Sequence, residues 1–226
     1  MHIGDGFLSP ATVAVSYMVA IPLWVYSFKR LKRELNEETL PMLGALSGLS
    51  FVIMMFNIPI PGGTSGHAVG ATLIALLFGP WVAGLAVTLV LAVQALIFGD
   101  GGISAIAINS LAMGYVASFV GYYTFHLLKR FKFAPFVAGW LSLVSASLVV
   151  AVALGIQPLM GTSPDGHPLY FPFGLEITIP AMVGEHALFF GVVEGIFTQL
   201  VYTFLLKRRQ AKEERLPIEN NSTPEV

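Results

Sequence analysis

The chain opens Met1-His2-Ile3-Gly4-Asp5-Gly6, and a histidine placed second, beside an amino terminus, has a chemistry of its own. A metal bridging the Met1 amine and the His2 backbone nitrogen closes a five-membered chelate ring. The same backbone nitrogen and the His2 imidazole close a six-membered ring. Three nitrogens from two residues can therefore fill three corners of a square, an arrangement that suits Ni(II) or Cu(II). The bland alternative is a terminus that frays in solvent. The fourth corner has to come from elsewhere in the chain.

A second stretch, Ile58-Pro59-Ile60-Pro61-Gly62-Gly63-Thr64-Ser65-Gly66-His67, is a candidate source. Its prolines stiffen the backbone and its glycines let it turn tightly. Such a loop suits the delivery of one side chain to one place. His67 is either the fourth ligand or a histidine at a helix start, and Ser65 lies beside it as loop support. Other groups could assist. Asp100 and Asn109 could each orient a metal-bound imidazole, as ligand histidines commonly require. Asp5 could do the same or fold the N-terminal turn. Glu185, His186 and Glu194 fall inside a long apolar run, where ionisable groups are costly and are functional suspects. His186 and Glu194 share a helix face and could form an ion pair, a shell around the metal loop or a proton relay. His126, beside Lys129 and Arg130, reads as interfacial. His167 reads as part of a surface turn.

The elements that must position these residues follow from composition. The 226 residues are 55% hydrophobic and 11% charged. A soluble domain carries about 25% charged residues, so this chain belongs in a bilayer. Its near-zero net charge argues against a nucleic-acid partner. There is no cysteine, which excludes thiolate metal sites and leaves histidine, carboxylates and backbone nitrogen as donors. No cleavable leader is evident, and the bulky second residue should keep Met1 in place.

Apolar runs cover Pro10 to Phe28, Pro41 to Phe56, His67 to Phe78, Trp81 to Phe98, Ile103 to Leu128, Ala134 to Ile156 and Ile179 to Leu206. A span needs about 20 residues; the third run is short, only Gly79-Pro80 separates it from the fourth, and it reads either as a short span or as a broken helix that does not fully cross. All 12 Lys and Arg fall in three groups, Lys29 to Arg33, Lys129 to Lys132 and Lys207 to Arg215, after the first, fifth and seventh runs. Basic loops stay in the cytoplasm, and the three groups agree only if all seven runs cross. The expectation is an all-α membrane protein of seven transmembrane helices, N-terminus outside and C-terminus cytoplasmic. Residues 1-9 form the chelating segment, 10-206 the membrane domain and 207-226 a polar tail, disordered from Gln210. Small-residue pairs at Gly44 and Gly48, Gly66 and Gly70, and Ser16 and Ala20 read as internal helix packing. HExxH, GxSxG and P-loop signatures are absent, so the chain reads as a non-enzyme that hydrolyses no ATP itself.

Several segments together resemble a known family. Met-His-Ile-x-Asp-Gly-Phe-Leu-Ser-Pro at the start, Pro-Gly-Gly-Thr-Ser-Gly-His at 61 to 67, Leu-Leu-Phe-Gly-Pro-Trp at 76 to 81 and Gln-Ala-Leu-Ile-Phe-Gly-Asp-Gly-Gly at 94 to 102 are similar to the CbiM/NikM family. These are the substrate-binding membrane components of cobalt and nickel energy-coupling-factor transporters of prokaryotic cell (inner) membranes. The resemblance runs from Met1 to about Leu206. It implies a site made of the Met1 amine, the His2 backbone nitrogen, the His2 imidazole and the imidazole of His67. It also implies partners: a transmembrane coupling protein, cytoplasmic ABC-type ATPases and often a small extra membrane subunit. Gly4 stands where proline is common in the family, and the chain ends soon after the seventh run, without the fusion to the small subunit found in some nickel members. The reading is therefore a capture component for Ni2+, with Co2+ next, the ion being cargo and no permanent cofactor being held. Its affinity should fall as pH drops through about 7.7–8.0 for the amine and about 6.5 for the imidazoles. The rival is a membrane enzyme or channel built on Glu185, His186 and Glu194.

Overall fold

The computed structural model describes residues 1-34, 36-37 and 39-215. Helix α1 is Pro10–Glu34 and α2 is Leu40–Met55. A two-stranded ribbon follows, β1 Ile58–Pro59 against β2 Ser65–Gly66. Then come α3 Ala71–Phe78, α4 Pro80–Val93, α5 Ile106–Asn109, α6 Ala117–Leu128, α7 Ala134–Gly155, α8 Leu175–Glu185 and α9 Gly191–Arg215. Wider π-type turns at Gln94–Phe98, Ser110–Val116 and His186–Phe190 prolong α4, join α5 to α6 and join α8 to α9. Local chemistry sets several of these starts. Ser9 Oγ accepts the Thr12 N–H at 3.2 Å with Pro10 just inside the helix, an N-cap followed by a residue whose φ is already helical. Proline also sits in the first turn of α2, α4 and α7.

The helical segments coincide with the seven apolar runs. Among the described residues, Pro10–Glu34, Pro80–Phe98, Ala134–Leu159 and Leu175–Arg208 are long and apolar enough to cross a bilayer by length and composition. Helix α7 packs on α6, α8 and α9, and α3 is held between α4 and α6. Leu127, Leu159, Leu188 and Phe56 stand exposed on the outside of the bundle, as lipid-facing side chains do.

Two expectations need correction. The third run does not cross as a helix: the eight residues of α3 rise about 12 Å against a hydrocarbon layer of about 30 Å. Residues His67 to Val69, ahead of it, go inward as irregular buried backbone. Such backbone survives away from water only if its polar groups are paired. Here Glu194 accepts the Val69 and Gly70 N–H groups at 2.7 to 3.0 Å, and Ser50 Oγ donates to the Val69 carbonyl at 2.6 Å. Helix α9 also runs on to Arg215, so Gln210 to Arg215 are helical rather than disordered. The rest of the expected tail, 216-226, lies outside the described residues.

The two ends of the bundle differ. One gathers the N-terminal segment, the ribbon and the connections after α4 and α7. Gly102 N donates to Ile3 O at 2.8 Å and Phe171 N to Phe7 O at 3.1 Å, and Asn57 Nδ2 donates to Asp100 Oδ2 at 3.1 Å. Toward the other end, ring contacts link Tyr26 to Trp81, Trp81 to Phe119 and Phe125 to Tyr202. All three basic groups follow that second set of residues in the chain.

Close helix approaches rest on small residues. A Cβ on Gly121 of α6 would lie 2.2 Å from Thr72 Oγ1 of α3, whereas one on Gly44 of α2 would meet nothing within 4 Å. The internal-packing reading thus fits Ser16 with Ala20, which are buried on α1; Gly66 and Gly70 are buried but lie on non-helical backbone, and Gly44 and Gly48 face open space. Gly121→Val should cost about 1–3 kcal/mol through overpacking and Gly44→Val less than about 0.5 kcal/mol. Thermal unfolding of the two variants in one detergent checks the contrast.

Candidate metal centre

The N-terminal segment is held as though it were a strand. Ile3 N donates to Asn109 Oδ1 at 3.0 Å, and Ile3 O accepts from Asn109 Nδ2 at 3.1 Å and from Gly102 N at 2.8 Å. Asn109 thus pairs both backbone groups of one residue, as a neighbouring strand would. Asp5 fixes the next turn. Its carboxylate accepts the Ile103 and Ser104 N–H groups and the Ser104 hydroxyl at 2.5 to 3.0 Å, which hold it below the usual carboxylate range. The Met1 side chain is fully buried in the core.

This clamp brings the Met1 amine onto Ser65. The amine donates to the Ser65 carbonyl oxygen and, at 3.0 Å, to Ser65 Oγ. Burial pushes the amine well below its usual pKa, opposed by the negative charge of Asp100. A neutral amine has two hydrogens and one lone pair. Ser65 takes the two hydrogens and the lone pair remains. The His2 backbone N–H donates to no group among the described residues.

Each imidazole is oriented by its far nitrogen. His2 Nε2 lies 3.2 Å from Gln94 Oε1; a carbonyl oxygen only accepts, so Nε2 carries the proton and Nδ1 is left with a lone pair. His67 Nδ1 lies 3.0 Å from the Ala68 carbonyl oxygen, so there Nδ1 is protonated and Nε2 is left. His2 Nδ1 and His67 Nε2 are buried with no hydrogen-bond partner. The two rings pack against each other, centroids 4.6 Å apart and planes 22° from parallel. Burial lowers His2 to about 3 and His67 well below the usual imidazole range. The proton competition expected near the ordinary values therefore moves to lower pH. His2 Nδ1 and Asp100 Oδ1 are 3.3 Å apart without an aligned hydrogen bond between them, so with a neutral imidazole two electron-rich atoms lie side by side. Burial holds Asp100 above the usual carboxylate range.

The structure assigns the other candidates different places. Asn109 holds Ile3 and touches neither imidazole nitrogen by a hydrogen bond. Gln94 orients His2 instead, and its signal was present in the sequence as one amide inside the apolar run Trp81 to Phe98. Glu194 holds the backbone that follows His67. His186 is buried, gives its Nδ1 proton to the Met182 carbonyl at 2.6 Å and leaves Nε2 unpartnered. It forms no ion pair with Glu194, and Glu185 is exposed, so the three do not assemble the alternative active site. His126 and His167 are exposed. No group of three His, Asp or Glu side chains gathers among the described residues; what the structure brings together is the pair of imidazoles of His2 and His67.

The CbiM family, described as the cobalt uptake substrate-specific transmembrane region, matches residues 2-211. A probable fused nickel transport protein, LarMN of Lactiplantibacillus plantarum, is 44% identical over 99% of this chain and 70% of its own length. A fused nickel transport protein, NikMN of Rhodobacter capsulatus, is 41% identical over 88% of this chain and 59% of its own. A solved crystal structure of a truncated transition metal transporter superposes with a TM-score of 0.89 at 42% identity, covering 92% of this chain and 99% of that one.

Two outcomes follow from the geometry. Asn109→Ala removes both Asn109 bonds to Ile3, leaves only the Gly102 N–H on its carbonyl, and should cost about 1–3 kcal/mol; hydrogen exchange should show the Ile3 and Gly102 amides opening first. The unfolded chain protonates its histidines near 6.5, whereas folded His2 resists until about 3. Unfolding thus takes up protons in that window, so stability present above pH 6.5 should decline as pH falls from 6.5 toward 3. Melting in detergent at stepped pH, compared with His2→Gln, isolates this contribution.

Proposed function

This chain belongs to the CbiM family, and on that premise we propose that it is the substrate-capture component of an ATP-driven importer for Ni(II), with Co(II) the next candidate. It is a multi-pass membrane protein of metal transport. The ion is bound by four nitrogens: the Met1 amine, the His2 amide nitrogen, His2 Nδ1 and His67 Nε2. The observation that carries this is the set of unengaged nitrogens. Two buried imidazole nitrogens lack hydrogen-bond partners, beside an amine with a spare lone pair and an amide N–H that donates to no group among the described residues. A buried polar atom left unsatisfied costs about 1–3 kcal/mol, and one divalent ion satisfies all four. A planar field of four nitrogens favours nickel. A tetrahedral zinc site is disfavoured because the two chelate rings hold three donors in one plane.

The basic end of the bundle faces the cytoplasm, which puts the site at the outer face of a prokaryotic inner membrane and the N-terminus outside. Energy then comes from partners: a transmembrane coupling protein and cytoplasmic ABC-type ATPases. A small further membrane subunit fits the fused relatives, of whose length this chain matches only a part.

The deciding comparison is calorimetry of the native protein beside a version with one residue added before Met1. The addition keeps every side chain and moves the free amine out of the chelate. Ni(II) affinity should collapse; equal affinity would place the site elsewhere. The proton count is a second test. With the amine and both imidazoles already neutral, only the His2 amide gives up a hydrogen, so binding at pH 7.5 should release about one proton per ion. Titrations in buffers of different ionisation enthalpy measure this directly, and a count near three would mean that the apo donors are protonated.

A further inference from the structure

The proposed square is closed to solvent. Met1 and His67 are fully buried and the His2 side chain is 3% exposed. A hydrated ion needs a first point of attachment, and one oxygen at the rim has the right properties. The Asp100 side chain is 20% exposed, so it meets water, yet its Oδ1 lies 3.3 Å from His2 Nδ1. Its Oδ2 is tied to Asn57 Nδ2, while Oδ1 accepts no hydrogen bond among the described residues. The backbone fixes this placement. Gly99 and Gly101 turn the chain on either side with φ of 68° and 88°, a conformation that other residues resist. Gly101 itself lies against His2, where a Cβ would come 3.4 Å from His2 Cδ2. The carboxylate of Asp5, by contrast, is filled by the N–H and hydroxyl groups of residues 103 and 104.

Two electron-rich atoms 3.3 Å apart repel unless a cation is shared between them, and one of the pair belongs to a side chain that meets water. We propose that Asp100 is the capture ligand of this protein: its Oδ1 binds the arriving hydrated divalent cation first and passes it to the four nitrogens. The inference rests on the metal-site reading above. Each step exchanges one water on the ion for one protein donor, beginning with the Asp100 oxygen and continuing with the adjacent His2 Nδ1. The amide hydrogen leaves to solvent as the second chelate ring closes, and no electron is transferred. A negative charge at the mouth also raises the rate at which cations arrive.

The test is stopped-flow binding of Ni(II) to the full-length protein in detergent, yielding association and dissociation rates. Asp100→Asn keeps an oxygen for Asn57 but removes the charge. It should slow association about tenfold or more and flatten its dependence on ionic strength, with dissociation changed by less than about threefold. Asn57→Ala removes the brace and keeps the charge, and should leave association within about threefold of the parent. Unchanged association in Asp100→Asn overturns the proposal. So does an equal loss in Asn57→Ala, which would make Asp100 a structural brace. His67→Ala separates this from failure of the underlying reading. If it still binds Ni(II) as tightly as the parent, the nitrogen site is wrong and the capture role falls with it. If it loses binding while Asp100→Asn associates normally, the nitrogen site stands and the capture role alone is overturned.

Discussion

A chain terminus gains entropy and hydration by fraying in water, and an amine resists burial because desolvation opposes its charged form. Here the first three residues are almost fully buried. What makes this tolerable is the two-way pairing of Ile3 by Asn109, reinforced by Gly102. Once Ile3 is fixed, the two residues before it have little freedom. The Met1 side chain fills the core, its amine reaches Ser65, and the His2 ring reaches Gln94. The candidate metal centre is thus a by-product of pinning a terminus against two connecting segments.

The opposing half of the centre depends on a different constraint. His67 is carried on backbone that is buried without being helical, so its polar groups need partners from side chains. Glu194 and Ser50 supply them. The ionisable group deepest in the last helical run is therefore spent on holding a loop. Its carboxylate plays the part that an N-capping side chain plays at an ordinary helix start, delivered from another helix because Gly70 has no side chain to offer.

Much of this was legible in the sequence. Apolar runs and basic clusters placed the helical segments, and chelate geometry singled out Met1 and His2. The glycine-rich loop marked His67. What escaped has physical reasons. The length of α3 could not be read because the apolar run continues through His67 to Gly70, where buried extended backbone and helix have the same composition. The π-type turns begin at Gln94, directly after Asn109 and at His186, aiming these residues inward, and local composition carries no signal for them. Asn109 reads in the sequence as a polar group that could orient an imidazole, whereas it pairs the backbone of Ile3. That a side-chain amide would stand in for a neighbouring strand becomes visible only when the terminus is seen beside it.

The glycine-rich loop is tightly packed on the side away from the N-terminus. A Cβ on Gly63 would run into Met182 and one on Gly66 into the Phe190 ring, so α8 and the turn after it leave no slack behind His67. Beyond its buried first three residues, the N-terminal segment is held to the connections after α4 and α7 largely by hydrogen bonds, several of them near water. The two halves of the centre therefore have unequal stiffness. One behaves as an anvil backed by packed side chains, the other as a jaw hinged on exchangeable bonds. Local opening follows the softer set of contacts, so the direction in which this centre can gape is decided by where the glycines are, on the side that does not move.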